Sequence, residues 1–312
     1  MKTDQRSNGQ GAGVPPCRGV LRRNESLARH TSWRVGGKAA CFYQPQDSDD
    51  LADFLAQLPP DEPLFWLGLG SNLLVRDGGI RGTVICTSGM LGRITQPEAD
   101  CLQVEVGVPC AKVARRSVAA GLTGAEFLAG IPGTMGGALA MNAGAFGGET
   151  WSLVQAVETI DRGGRRRWRD AAEFKVAYRE VQGPVGEWFL VAELRLQPGE
   201  GAAGTARVRA LLDRRNRSQP TGMPSGGSVF RNPPGDYAGR LIEASGLKGL
   251  RVGGASVAEK HANFIVNDGG ATAEDIESLI RQVIGLVEQR QGIRLIPEVH
   301  IVGESGGGEA DV

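Results

Sequence analysis

The chain has 312 residues, room for two domains or slightly more, and its 41% hydrophobic and 22% charged residues are the proportions of a globular protein. Its 35 basic and 35 acidic residues leave a formal net charge of +0, which removes any whole-chain electrostatic reason to expect nucleic acid as a partner. With 5 cysteines, none in a CxxC pair, and 3 histidines, neither a disulfide framework nor a metal cage is suggested, so no metal is expected.

Residues 1–20 lack apolar periodicity and carry no apolar core of a secretory signal, so a disordered tail on a reduced, cytoplasmic protein is expected. A first block, 21–85, holds a helix over 48–57 (SDDLADFLAQ, with Ser48 as a candidate cap) and strands at PLFWL and LLVRD. A second, 86–200, opens on the half-exposed strand CLQVEVGV and the helix AKVARRSVAAG. The strands LVQAVETI and EWFLVAELRL follow around a turn at Asp161–Gly164, and PGEGAAG (198–204) reads as a linker. The third, 205–303, has a helix near ARVRALLDRR, the loop QPTGMPSGGSVFRNPPG, helix YAGRLIEASG, strand NFIVN, a helix from Thr272 to Arg290 and strand RLIPEVHIVG. A flexible tail, 304–312, follows. Helices and strands mix throughout, as in an α/β or α+β fold. The basic runs RRRWR (165–169) and RRNR (214–217) have no repeating aromatic platform and read as solvated faces or turns.

The stretch AGIPGTMGGALAMNAGAFGG (129–148) is uncharged over a bilayer's length, but its glycines and Pro132 make a poor helix, so no membrane insertion is expected. GIPGTMGG offers consecutive N–H groups and the Thr134 hydroxyl without Cβ atoms in the way. It could cradle phosphate, or it could serve tight packing at small residues. GLGSNLL (68–74) fails the dinucleotide fingerprint because Leu73 replaces the third glycine and no helix follows. What remains is a turn whose backbone, with Ser71 and Asn72, can form an anion nest. In GGSVFRNP (226–233), Ser228 stands among glycines with Arg231 and Asn232 beyond, and there is no GxSxG elbow. Glu298 on an apolar strand and Arg179 in VAYRE are either solvent-facing or buried for a purpose.

Seven segments resemble, in order, the UDP-N-acetylenolpyruvoylglucosamine reductase (MurB) family in its shorter, type II form. They are NESLARHTSWRVGGKA (24–39), GLGSNLLVRDGGIRGTVI (68–85), GAEFLAGIPGTMGGALAMNAGAFGGE (124–149), AYRE (177–180), PSGGSVFRNP (224–233), AGRLIEASGLKGLRVGGASVAEKHANFIVN (238–267) and IRLIPEVHIVG (293–303). The resemblance implies an α+β fold: a two-part FAD-binding domain of the vanillyl-alcohol-oxidase (PCMH) type, at 21–85 and 86–200, plus a C-terminal α/β substrate-binding domain. It implies non-covalent FAD held by Arg34, Gly68, Gly70, Ser71, Asn72, Gly130, Ile131, Pro132, Gly133, Thr134, Gly136, Gly137, Asn142 and Gly144. NADPH would be the co-substrate and UDP-N-acetylglucosamine enolpyruvate the substrate, reduced to UDP-N-acetylmuramate for peptidoglycan synthesis by a chain expected to be monomeric. Ser228 would be the proton donor, Arg179 and Glu298 would stabilise the enolate, and Arg231 and Asn232 would contact the sugar nucleotide. An oxidase of the same flavin fold is the alternative, with His30 as the histidine nearest the front of the FAD region. The chain departs from the family pattern at Leu69, between the glycines of the first turn, and at Val181, after AYRE.

Overall fold

The computed structural model describes residues 17–306, so most of the two expected tails lies outside the described residues. Three units follow one another, each with its own sheet.

The first unit has strands β1 (Val20–Ser26), β2 (Lys38–Gln44), β3 (Leu64–Leu67) and β5 (Ile80–Cys86) in the order β1-β2-β5-β3, with β4 (Leu73–Val75) outside that sheet. Only the β1–β2 pair is antiparallel; β2–β5 and β3–β5 are parallel. Helix α1 (Ser48–Gln57) matches its expected span, but its cap is Asp47, whose carboxylate accepts from the Asp50 amide at 2.8 Å. Asp50 is itself buried and receives the Tyr43 hydroxyl (2.5 Å) and the Arg18 amide (2.6 Å). The disordered tail expected through residue 20 therefore stops short: Arg18 is pinned and Val20 opens a strand.

The second unit contains β6 (Ile94–Glu98), β7 (Cys101–Glu105), α2 (Cys110–Ala119), β8 (Leu122–Thr123), α3 (Met135–Ala140), β9 (Gly144–Ala145), β10 (Gly148–Glu149), β11 (Val154–Asp161), β12 (Arg166–Asp170), β13 (Lys175–Ala177), β14 (Glu180–Gln182), β15 (Glu187–Arg195) and β16 (Gln197–Pro198). Its main sheet is antiparallel, in the order β12-β11-β15-β7-β6. Arg166–Arg169 of RRRWR lie on edge strand β12, where Arg166 pairs with Glu158 and with Asp49 of α1, and Arg167 and Arg169 pair with Glu187, while Arg165 stays exposed beside the turn. The expected linker is mostly ordered, because Gln197–Pro198 pairs with β8 and helix α4 (Gly201–Ser218) begins within it. Although the sequence groups α4 with the third block, it packs on α2: a Cβ at Gly204 would lie 2.9 Å from a Val118 methyl.

The third unit holds α5 (Ala238–Ala244), a small antiparallel sheet of β17 (Arg251–Val252), β18 (Ala255–Val257) and β19 (Ile265–Asn267), and α6 (Ala273–Gln291). A Thr272–Asp275 capping box starts α6, and Gly292 at φ +69° ends it. The apolar stripe Ile276, Leu279, Ile280 and Val283 packs with Leu241 and Ile242 of α5 in one core. That core also takes Trp33 from the first unit, whose indole N–H donates to the Ile265 carbonyl at 2.8 Å. The final strand β20 (His300–Val302) leaves the unit and pairs parallel with β4, His300 opposite Leu73. The flexible tail expected from Glu304 instead begins with a bridge: the Glu304 amide donates to the Gly79 carbonyl at 2.9 Å.

Candidate active site

Where the first two units meet they leave a cleft of about 360 Å³. Trp66, Leu67 and Gly68 line it from β3 and the turn beyond, and Thr134, Gly136, Gly137 and Ala140 line it from α3 and its cap. The two glycine-rich segments face each other. A Cβ on Gly68 would sit 2.5 Å from the Thr134 hydroxyl oxygen, and one on Gly133 would sit 3.5 Å from Ser71 Oγ. Gly70 adopts φ +59°, and a Cβ there would strike the His30 carbonyl at 2.3 Å. The N–H groups of Gly70, Ser71 and Asn72, and of Gly133 and Thr134 opposite, have no acceptor among the described residues. Facing rows of free N–H donors at the start of a helix are a fit for a diphosphate.

Beside the cleft lies a cluster with different chemistry. The Asn72 side-chain amide donates to the Glu298 carbonyl (3.2 Å), and the Asn72 carbonyl accepts from the His300 amide (3.0 Å), which ties the glycine turn to Glu298 and to the start of β20; the expected strand RLIPEVHIVG is thus strand only at its end, and Glu298 precedes it. The Glu298 amide in turn donates to the Val229 carbonyl at 2.7 Å, which lays Ser228–Arg231 alongside it. Asn263 clamps the same segment by bonding both the amide and the carbonyl of Phe230 at 2.9 Å. Arg179 enters from the tip of the β13–β14 hairpin in a left-handed conformation, φ +59°, a strained geometry that marks a position held for a purpose. Its Nε lies 2.8 Å from Glu298 Oε1, with side-chain exposures of 19% and 10%. The Nε atoms of Arg179 and Arg231 make no well-aligned hydrogen bond among the described residues, so Arg179 meets Glu298 as an ion pair rather than a directed bond. Burial raises the Glu298 pKa above the ordinary carboxylate range, and Arg179 and Arg231 pull it partly back. Ser228 is half-buried, and its hydroxyl has no hydrogen-bond partner among the described residues.

The other candidates divide. Asn142 is buried and its amide is fully used, donating to Glu149 and Ala177 and accepting from the Trp151 amide. Gly130 and Gly144 make room for Phe146 and for the Gly148 carbonyl, and Ile131 lies in the core, so these three pack rather than line the cleft. Pro132 is exposed; Arg34 is exposed in a left-handed turn outside the lining. Asn232 accepts from the Ala238 amide at 3.1 Å, at the start of α5. Of the two departures, Leu69 is exposed on the turn while Val181 lines the cleft. Outside the site, Arg215 is half-buried on α4 with its Nε donating to Gln219 (3.2 Å), and burial alone lowers its pKa. In the sequence it is one arginine of a basic run, and only its packing sets it apart.

A glycine-lined cleft between a largely parallel and an antiparallel unit, with Thr134 in its wall, the free N–H groups of the Gly70–Asn72 turn just outside it and no Rossmann turn, fits a flavin-dinucleotide oxidoreductase of the two-unit kind. Residues 39–169 match the FAD binding domain family model. Residues 219–302 match the model for the C-terminal domain of UDP-N-acetylenolpyruvoylglucosamine reductase. The chain is 64% identical to the enzyme of that name from Methylococcus capsulatus over 93% of its length and 95% of the relative's. It is 61% identical to the one from Alkalilimnicola ehrlichii, over 92% and 96%. The crystal structure of UDP-N-acetylenolpyruvylglucosamine reductase (MurB) from Thermus caldophilus superposes with a TM-score of 0.77 at 33% identity, covering 91% of this chain and 98% of that one. The chain belongs to the UDP-N-acetylenolpyruvoylglucosamine reductase family, and its α+β fold joins a two-part FAD-binding region to the family's C-terminal domain.

Proposed function

We propose that the chain reduces UDP-N-acetylglucosamine enolpyruvate to UDP-N-acetylmuramate, a cytoplasmic step toward peptidoglycan, with FAD held non-covalently in the glycine cleft and NADPH as reductant. The observation that carries this reading is the convergence of two guanidinium groups on a carboxyl whose pKa burial raises: Arg179, paired with Glu298 at 2.8 Å, and Arg231. When bound, FAD supplies a hydride to the substrate's terminal enol carbon and regains it from NADPH. Addition there drives the electron pair of the double bond toward the substrate carboxylate. Arg179 answers that charge with a rigid fork, and Glu298 in its neutral form donates a hydrogen bond to the same group. The incoming carboxylate competes for Arg179, and burial then favours the protonated acid at Glu298. Ser228 delivers a proton to the neighbouring carbon; a hydroxyl is weakly acidic, so it acts only on a carbon as basic as an enolate's.

The decisive experiment is anaerobic spectroscopy of the purified protein. NADPH should bleach the visible flavin band and the enolpyruvyl UDP-sugar should restore it; restoration by oxygen alone would replace this reading with the oxidase. The oxidase is not favoured by the family match, and His30 lies apart from the cleft lining with its Nε2 2.9 Å from Glu25. The cradle itself can be tested by closing it. Gly68→Val fills the gap to Thr134, so the variant should purify folded but with less than about a tenth of the wild-type flavin absorbance per chain, as an engineered clash in a tight approach predicts. A variant as yellow as wild type would place the dinucleotide elsewhere.

A further inference from the structure

Helix α3 begins at the glycine cradle, where Thr134 caps it, and its exit touches both sides of the Arg179–Glu298 pair. Met141 and Asn142 follow the helix directly. The Met141 sulfur lies 3.0 Å from Nε2 of His300, two residues beyond Glu298. Asn142 Nδ2 donates to the Ala177 carbonyl at 3.2 Å, two residues before Arg179. The same nitrogen donates to Glu149 Oε2 (3.0 Å), and Oδ1 accepts from the Trp151 amide (3.1 Å). Asn142 is 2% exposed, and its backbone sits at φ +39°, a conformation asparagine tolerates better than most residues. The hairpin that carries Arg179 has little else to hold it. Strands β13 and β14 pair only with each other, and Lys175–Tyr178, Glu180 and Gln182 are exposed. Val181 packs against the second unit's core. Among the described residues, the bond from Asn142 is the one hydrogen bond that joins residues 175–182 to the rest of the chain.

We propose that Asn142 is a positioning residue for the substrate half-reaction, and that its bond to the Ala177 carbonyl sets where the Arg179 guanidinium meets Glu298. Asn142 touches no reacting atom; it acts through the hairpin, whose last fixed point before Arg179 is Ala177. This rests on the assignment of Arg179 and Glu298 to the reduction. A guanidinium displaced by about 1 Å answers developing charge poorly, and misplacements of that size cost roughly 10²-fold. The arrangement also explains why an asparagine of the second glycine stretch has no donor left for a cofactor: both amide hydrogens and the amide oxygen are in use.

The test uses the full-length, flavin-loaded enzyme and two variants. Asn142→Gly removes the side chain and accepts the left-handed backbone. Asn142→Asp combined with Glu149→Gln exchanges donor and acceptor between the two side chains. It preserves their bond and the net charge but turns an oxygen toward the Ala177 carbonyl. Each variant should keep its flavin, and its bleaching by NADPH, within about twofold, and should recolour with the enolpyruvyl sugar about 10²-fold more slowly. In an Arg179→Met background either change should add less than about twofold, because the residue acts through that guanidinium. A readout independent of turnover is the titration of the Glu298 carboxyl, followed by ¹³C NMR and assigned by the loss of its signal in Glu298→Gln. With Arg179 displaced, and with Arg231 and His300 still beside it, its midpoint should move to higher pH in both variants. Wild-type recolouring in both variants, a full further loss in the Arg179→Met background, or purification without flavin overturns the proposal and leaves the reductase reading standing. Arg179→Met that recolours at the wild-type rate overturns the reading on which the proposal rests.

Discussion

Ser228→Ala should leave bleaching of the flavin by NADPH at its wild-type rate and slow the return of colour with the enolpyruvyl sugar by about 10²–10⁴-fold, the span expected for a lost general acid. The asymmetry follows from where the hydroxyl sits. Ser228 makes no internal hydrogen bond among the described residues, and the segment that carries it is held by Asn263 and by the Glu298 amide through backbone groups alone. Removing Oγ therefore removes a donor without loosening its support, and the melting temperature should move by no more than a few degrees. Stopped-flow measurement of the two half-reactions separates the possibilities: an equal loss in both would mean that the residue shapes the cleft and transfers no proton.

Arg179→Met should cost the substrate half-reaction about 10²–10³-fold, as for a deleted transition-state hydrogen-bond donor, with NADPH oxidation unaffected. It should also change the pH profile in a definite direction. In the proposed mechanism Glu298 acts in its neutral form, so the substrate half-reaction should decline as pH rises through that group's titration. Arg179 holds the Glu298 pKa down against burial; without it the pKa climbs further, and the alkaline limb should move to higher pH. The same protonation keeps the variant foldable, because Glu298 need not remain as a buried, uncompensated charge. A slow variant whose alkaline limb has not moved would show that a different group sets that limb.

The glycine turn and the second glycine stretch stand out locally because backbone access needs glycine, and Glu298 because a carboxylate among apolar residues does, whereas the proposed roles of Ser228 and Arg179 come from the family resemblance and not from their own surroundings. Local rules also gave α1 and α6, whose apolar spacing and caps lie within a few residues of each other. They misplaced what depends on distant partners. One miss was itself local, the α1 cap, where Asp47 and not Ser48 accepts from the Asp50 amide three residues on. Helix α4 sides with α2 because Gly204 lets Val118 approach, and nothing within its own span says so. RRRWR looked like a surface run because Glu158 and Glu187, which absorb its charge, are read separately. Asn142, grouped by motif with the flavin residues, spends its amide holding the loop before Trp151 to the hairpin that bears Arg179.

The pairing of β20 with β4 sets a timetable for biosynthesis. Leu73–Val75 gains its parallel partner only when residues 300–302 are available, and Arg76 gains its carboxylate partner only with Glu277. A ribosome extends chains at about 5–20 residues per second, and N-terminal segments generally fold first. The turn at Gly68–Asn72 thus emerges roughly ten seconds or more before the strand that braces it. Nascent protein stalled before residue 300 should take up little FAD, and cofactor loading should follow the emergence of that strand.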